Sequence, residues 1–225
     1  MKNSRYEIKF ILNSAQVSEA FEWMYFHTSA KPVYQPRIVN SIYFDDVHFN
    51  SVKDNLIGIS RRSKYRLRWY GGLNEQGIEG INFEIKNRVN RTGNKIRKKV
   101  FSGFKLNDMK FGDLMTFLKN EPGENLCIDK ALYPTLQVAY KRKYFEGGQG
   151  IRVTLDSDIY YYKTPLHSKI SSSQPISYPM TIMEVKFHPD LVKVVSSSFK
   201  EFHLIPKRHS KYLTGISMLG NATYI

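Results

Sequence analysis

The sequence predicts an α+β protein that is mainly antiparallel β. About eight segments alternate polar and apolar residues with the two-residue period of a strand. Most are joined by short, turn-rich connections that fit hairpins. Three further stretches space apolar residues as helices do, and they supply cover for the sheet. With 225 residues, 41% hydrophobic and 14% aromatic, the chain suits one domain spanning 1–225 whose core needs no disulfide.

Arg5 to Leu12 places Arg5, Glu7 and Lys9 on one face and Tyr6, Ile8, Phe10 and Leu12 on the other. Asn13 or Ser14 offers an N-cap to a helix carrying Val17, Ala20, Phe21, Met24 and Tyr25. After a segment containing Pro32 and Pro36, Val39 to Phe44 reads as a second strand, and a short amphipathic piece with Phe49, Val52 and Leu56 follows. Lys64 to Tyr70 is the next strand, with Lys64, Arg66 and Arg68 opposite Tyr65, Leu67 and Trp69. Gly71-Gly72 and Asn74 to Gly77 turn the chain into Ile81 to Arg88, where Glu84, Lys86 and Arg88 oppose Phe83 and Ile85. A second turn, Asn90 to Asn94, delivers Lys95 to Phe101. A helix from about Asn107 to Asn120 stops at Pro122-Gly123. Leu136 to Tyr144 and Ile151 to Asp156 form a hairpin around Gly147-Gly148-Gln149-Gly150. Thr164 to Ser177, rich in Ser, Pro and Lys, reads as a mobile connection. Thr181 to His188 is the last strand, and Pro189 opens a helix through Leu191, Val192, Val195 and Phe199.

Composition narrows the chemistry. Lys and Arg number 34 against 20 Asp and Glu, a net charge of +14 that calls for polyanionic partners. Cys127 is the single cysteine, which excludes an internal disulfide and makes a reducing cytoplasm the expected compartment. No stretch approaches the ~20 apolar residues of a membrane span. The six histidines lack metal-ligand spacing and no glycine-lysine phosphate loop occurs, which argues against zinc chemistry and P-loop binding.

Charge recurs inside strand after strand: Arg5/Glu7/Lys9, Lys64/Arg66/Arg68, Glu84/Lys86/Arg88, Arg152/Asp156 and Glu184/Lys186. Such faces could be the solvated outside of a sandwich. They could equally line a closed barrel that is polar inside and covered by helices outside. The dominance of Lys and Arg over Ser, Thr and Gln favours the barrel, because cations on one strand face repel by roughly 1 kcal/mol per close pair unless an anion lies among them.

Six blocks then carry a specific resemblance: Ser41-Ile42-Tyr43-Phe44-Asp45, Arg66-Leu67-Arg68-Trp69-Tyr70-Gly71-Gly72, Phe83-Glu84-Ile85-Lys86, Thr92-Gly93-Asn94-Lys95, Met183-Glu184-Val185-Lys186 and Ser210-Lys211-Tyr212. In this order they resemble the VTC domain, the polyphosphate polymerase branch of the triphosphate tunnel metalloenzymes. The resemblance implies a tunnel-shaped antiparallel barrel of about eight strands whose basic inner wall grips ATP and a growing phosphate chain. It also implies Lys9, Arg66, Arg68, Lys86, Lys98, Arg142, Arg208 and Lys211 as phosphate ligands. Arg66, Arg68, Lys86, Arg142 and Lys211 would serve the transfer, Tyr140 and Ser210 would add hydroxyl contacts, and Glu184 would hold Mn2+ or Mg2+.

These expectations describe a metal-dependent enzyme that passes the terminal phosphate of ATP to polyphosphate, with no specific nucleic acid as partner. Hydrolases of the superfamily carry Glu-x-Glu-x-Lys on the first strand, whereas this chain reads Arg5-x-Glu7-x-Lys9. That departure tilts the expectation from triphosphate hydrolysis towards chain synthesis. A non-catalytic module binding RNA or polyphosphate is the remaining alternative, given 15 Tyr and 14 Phe for stacking. In the clearest strands, however, the aromatics lie opposite the cations.

Overall fold

The computed structural model describes residues 5–72, 80–89, 92–100, 106–120, 131–201 and 204–220. Within them lie nine strands: β1 (Tyr6–Leu12), β2 (Lys31–Asp45), β3 (Arg61–Tyr70), β4 (Asn82–Val89), β5 (Thr92–Lys99), β6 (Tyr133–Glu146), β7 (Arg152–Tyr162), β8 (Ile176–Tyr178) and β9 (Thr181–Phe187). They pair in the order β1-β9-β7-β6-β2-β3-β4-β5, with β8 on β7. Flanking helices are α1 (Ser14–Trp23), α2 (Asn50–Leu56), α3 (Phe111–Asn120), α4 (Val192–Ser198) and α5 (Lys211–Met218). Among the described residues no helix is long and apolar enough to cross a membrane. Cys127 and the turn Asn74–Gly77 lie outside the described residues.

The mainly antiparallel sheet follows the sequence expectation: β1/β9, β2/β3, β3/β4, β4/β5 and β7/β9 all pair antiparallel. Closure into a hydrogen-bonded barrel does not. The paired path ends at β1 and β5. Lys207 N–H donates to Lys9 O at 2.8 Å, so the segment before α5, instead of β5, engages the β1 backbone. Alternation assigns faces to strands; it does not say which edges meet.

Two local expectations are also revised. β2 begins at Lys31, eight residues before the apolar run, and includes both prolines. Proline lacks an N–H but fits an extended backbone where a ladder bond is not needed, and residues 31–38 are exposed. The stretch Thr164 to Ile176 is pinned and not a mobile connection. Thr164 Oγ1 donates to Pro134 O (2.8 Å), Ser171 N–H to Gln137 Oε1 (2.9 Å) and Ser173 Oγ to Lys163 O (2.8 Å), while Ile170 is buried.

The chain forms two compact units. The first comprises Met1–Arg37, Tyr140–Ile159 and Ser177–Ser210; the second comprises Ile38–Ala139, Tyr160–Ile176 and Lys211–Ile225. Strands β2, β6, β7 and β8 contribute to both.

In the first unit, Asn13 and Gln16 form a reciprocal cap at the start of α1, with Asn13 Oδ1 accepting from Gln16 N–H at 2.9 Å and Gln16 Oε1 from Asn13 N–H at 3.2 Å. Phe10, Trp23, Val153, Met183, Val185, Phe187 and Phe199 make its core. Trp23 stacks on Phe199 at 4.1 Å and donates its indole N–H to Ser198 Oγ. The second unit buries Ile42, Phe44, Leu67, Trp69, Phe83, Leu114 and Ile170. Both cores use the apolar strand faces read from the sequence, which fixes the charged residues on the opposite faces.

The turn at Gly147 is under a tight steric limit, since a Cβ there would lie 2.4 Å from Thr28 O. Gly147→Ala is expected to cost about 1–3 kcal/mol by forcing backbone apart. The urea midpoint measures this; an unchanged midpoint would contradict the close approach.

Candidate functional site

In the second unit β3 lies between β2 and β4, so each residue on its polar face has a neighbour on either side. Arg66 stands opposite Tyr43 and Glu84, and Arg68 opposite Ser41 and Asn82. β5 adds Arg97 opposite Glu84 and Lys95 opposite Lys86. Glu84 is the centre. Its Oε2 accepts from Arg66 Nε at 2.7 Å and lies 2.6 Å from Arg66 Nη2, while Oε1 lies 2.5 Å from Lys95 Nζ and 3.8 Å from Arg97 Nε. Burial pushes the Glu84 carboxyl up, but Arg66, Lys95 and Arg68 outweigh it and hold the group at about 2.

The centre of this face is buried. Ser41 is 0% exposed, Glu84 3%, Asn82 5% and Arg68 8%. Arg68 Nε donates to Ser41 Oγ at 3.1 Å, and Arg97 Nε to Asn82 Oδ1 at 2.8 Å. Tyr43, also buried, stacks on Tyr212 with ring centroids 4.9 Å apart. Burial raises the Tyr43 phenol, yet the charges of Arg66, Arg68 and Lys211 bring it down to about 8. Tyr212 is driven the other way by burial and by Asp45, whose Oδ2 accepts its hydroxyl proton at 2.8 Å.

Asp45 also accepts from the N–H groups of Asp46, Ser51 and Val52, and Asp46 accepts from those of His48 and Asn50. These two carboxylates therefore satisfy the free amides at the start of α2, which is the turn role their position suggests.

The first unit repeats the pattern around Glu184. Register sets Lys9 opposite Glu184, Glu7 opposite Lys186, and Thr154 opposite Glu184. Lys9 Nζ lies 3.4 Å from Glu184 and 3.0 Å from Glu7; Lys186 Nζ contacts Glu184 and lies 3.8 Å from Glu7. Burial raises the Glu184 carboxyl, and Lys9, Lys186 and Arg142 lower it further than burial lifts it. Arg142 forms a two-pronged pair with buried Asp156, Nε to Oδ1 at 2.6 Å and Nη2 to Oδ2 at 2.8 Å, and lies 5.3 Å from the centre of the Tyr140 ring.

Of the residues expected from sequence, Lys9, Tyr140, Arg142 and Glu184 thus gather in the first unit, and Arg66, Arg68 and Lys211 in the second. Lys86 is on the same face as Arg66, opposite Lys64 and Lys95, and is exposed. Arg208 is exposed and Ser210 half-buried on the segment entering α5, whose His209 O accepts from Lys9 Nζ at 3.5 Å. Lys98 is misplaced by the expectation: it stands opposite Phe83, on the face away from Arg66 and Arg68. Ile96 and Val100 share its parity and mark that face as apolar, so the signal was in the sequence.

Lys95, Arg97, Tyr43, Glu84, Asp156 and Lys186 complete the two clusters and were not singled out as ligands. For Glu84 the alternation against Phe83 and Ile85 was visible; its partners on β5 depend on the hairpin register.

Among the described residues no three His, Cys, Asp or Glu side chains come together. A hard divalent cation takes about six oxygens, and Mg2+ commonly binds through one or two carboxylates plus substrate phosphates. Glu184, with Glu7 sharing its lysines, fits that second arrangement.

Absorbance titration near 295 nm should reveal one tyrosine ionising near pH 8, well below the usual value of about 10. That step should vanish in Tyr43→Phe and move up in Arg66→Ala. If all tyrosines titrate together near the usual value, the electrostatic account of the Tyr43 site is wrong.

The model of the family described as VTC domain matches residues 4–220. Vacuolar transporter chaperone complex subunit 2 of Saccharomyces cerevisiae is 22% identical over an alignment covering 80% of this chain and 28% of that protein, so the chain spans about a quarter of that relative's length. The solved structure of the PH1819 protein from Pyrococcus horikoshii OT3 is 14% identical, covers 97% of this chain and 100% of its own, and superposes with a TM-score of 0.55, a likeness of fold. Matched across nearly its whole length, the chain belongs to the VTC domain family.

Proposed function

We propose that the chain is a phosphotransferase of the polyphosphate polymerase type, moving the terminal phosphate of ATP onto a phosphate chain. The observation that carries this reading is the gathering of guanidinium and ammonium groups around a largely buried carboxylate on each polar face, Glu84 at 3% exposure on one and Glu184 at 13% on the other. Phosphoryl transfer asks little covalent help of a protein and much alignment and charge neutralisation. Arg66, Arg68 and Arg142 offer planar forks matched to phosphate oxygens, and Lys9, Lys86, Lys95, Lys186 and Lys211 add point charges.

In the reaction, the bond from the bridging oxygen to the terminal phosphorus of ATP breaks and leaves ADP. An oxygen of the chain end forms the new bond to that phosphorus. This attacking oxygen is already ionised, so no general base is required. The cations hold both phosphates against their mutual repulsion, and their carboxylate pairs hold the cations in place before substrate arrives. Glu184, with Glu7, would hold Mn2+ or Mg2+, which supplies charge neutralisation on phosphate oxygens. Tyr140 stiffens Arg142, and Ser210 and Arg208 on the segment touching Lys9 are further phosphate contacts in this reading.

Hydrolysis would need carboxylates available to hold and activate water. The first strand offers fewer of them, with Arg5 where hydrolases of the superfamily carry the first glutamate of Glu-x-Glu-x-Lys, which supports transfer to a chain over transfer to water. Incubation with ATP and Mn2+ should give ADP and internal-chain phosphate resonances in ³¹P NMR spectra. Free phosphate alone would replace this reading with the triphosphatase, and no turnover would leave only a binding module. Arg66→Ala/Arg68→Ala should reduce turnover about 100-fold or more, the cost of lost transition-state donors. Glu184→Gln should raise the metal concentration needed for half-maximal rate; an unchanged metal dependence would remove Glu184 from the metal site.

A further inference from the structure

Between α2 and β3 a short turn of the second unit exposes aliphatic side chains. Leu56 is 44% exposed, Ile57 72% and Ile59 42%, and a Cβ added at Gly58 between them would meet open space. Single exposed aliphatics are common, but three within four residues form a patch that water disfavours. The turn is held in place by its own hydrogen bonds. Ile57 N–H donates to Lys53 O at 3.0 Å, Ile59 N–H to Asp54 O at 2.9 Å, and Arg62 Nη1 to Ile59 O at 2.6 Å.

Cations flank the turn. Lys53 precedes it, Arg61 and Arg62 follow it, and Asp54, half-buried, is the one acidic residue between Val47 and Lys64. On β4, exposed Val89 stands opposite Arg61 and exposed Arg88 opposite Arg62, the two pairs on alternate faces of the strands. By contrast, the exposed Tyr25 and Phe26 come about one turn after the exposed Glu22, whose charge would repel an anionic surface.

We propose that the 56–62 turn docks the protein on an anionic lipid surface. Leu56, Ile57 and Ile59 enter the boundary between headgroups and acyl chains, and Lys53, Arg61, Arg62 and Arg88 meet the negative charge of the headgroups. The inference goes beyond the polymerase reading and does not depend on it. A few aliphatics or a few cations alone hold a protein weakly at a bilayer, whereas apolar burial and attraction to anionic lipid add. Arginine stems lie along such an interface with the guanidinium in water, so the cations stay hydrated beside the buried aliphatics. RNA would satisfy the cations and leave the aliphatics in water, since single-stranded bases stack on aromatic side chains and residues 56–62 include none.

Co-sedimentation of the full chain with phosphatidylcholine vesicles, with and without phosphatidylserine, tests this. The protein should pellet with the phosphatidylserine vesicles, far less with phosphatidylcholine alone, and less as salt rises. Ile57→Ser/Ile59→Ser should weaken binding about tenfold or more, as loss of two buried aliphatics would, and Ile57→Leu/Ile59→Leu should keep it. Lys53→Ser/Arg61→Ser should weaken it about tenfold or more, at roughly fivefold per cation. In Ile57→Trp, tryptophan emission should shift to the blue when phosphatidylserine vesicles are added, a change that stands out because Trp23 and Trp69 are already fully buried. No pelleting, equal pelleting with both vesicles, pelleting indifferent to Ile57→Ser/Ile59→Ser, or an unshifted emission in Ile57→Trp each overturns the proposal. A dimer that Ile57→Ser/Ile59→Ser dissociates, without vesicle binding, would assign the turn to a second copy of the chain and overturn it too, as would RNA binding lost in that variant.

Discussion

A carboxylate buried among cations is the interaction on which both polar faces depend. Without Glu84, the side chains of Arg66, Arg68, Lys95 and Arg97 would present like charges to one another on adjacent strands. With it, each strand gains a reason to keep its register, because a one-residue slip would carry Arg66 to the apolar face and leave Glu84 unpaired. Breaking a buried pair of this kind costs about 3–5 kcal/mol, most of it the uncompensated charge left behind. Glu184 does the same for Lys9, Lys186 and, at longer range, Arg142. In the second unit Glu84 alone gathers Arg66, Lys95 and Arg97 and leaves that cluster net positive, whereas in the first unit Glu7 and Asp156 share the task with Glu184.

Stability comes from the other side of the sheet. Trp69, Phe83 and Leu67 are almost fully buried beside the strand positions that carry Arg68, Glu84 and Arg66. Burial of such side chains contributes about 1.5–3 kcal/mol each, which offsets the cost of confining charge on the reverse face. The fold therefore tolerates a densely charged face because each strand is anchored by its alternate residues. The same arrangement suits phosphate chemistry, since a site organised before substrate arrives spends little energy on reorganisation when charge develops.

The C-terminal helix is tied to this face by a short polar relay. Tyr212 on α5 donates to Asp45, stacks on Tyr43 and lies 3.1 Å from Thr135 Oγ1. Asp45 in turn caps α2, the element that joins β2 to β3. Lys211, one residue before Tyr212, is thereby brought close enough to help Arg66 and Arg68 lower the pKa of Tyr43. A residue far along the chain joins the cluster through packing of its neighbour.

Alternation in the sequence determined which residues of each strand are charged together, and it placed Arg66, Arg68, Lys86 and Glu184 correctly because side chains reverse face at every step. The mainly antiparallel sheet was also legible, and of the two caps open in the sequence, Asn13 or Ser14, the structure uses Asn13. Lys98 was misassigned because its run carries cations on both faces, and only Ile96 and Val100 distinguish them. Arg142 could not be read from its strand, where it follows Val138 and Tyr140; its pairing with Asp156 required β6 and β7 to be set side by side. That the paired path stays open between β1 and β5, which cations share a carboxylate, and that the centre of the polar face is buried were decided by tertiary structure alone. The physical reason is that face is a property of one strand, whereas register, edge contact and burial belong to pairs of segments distant in the chain.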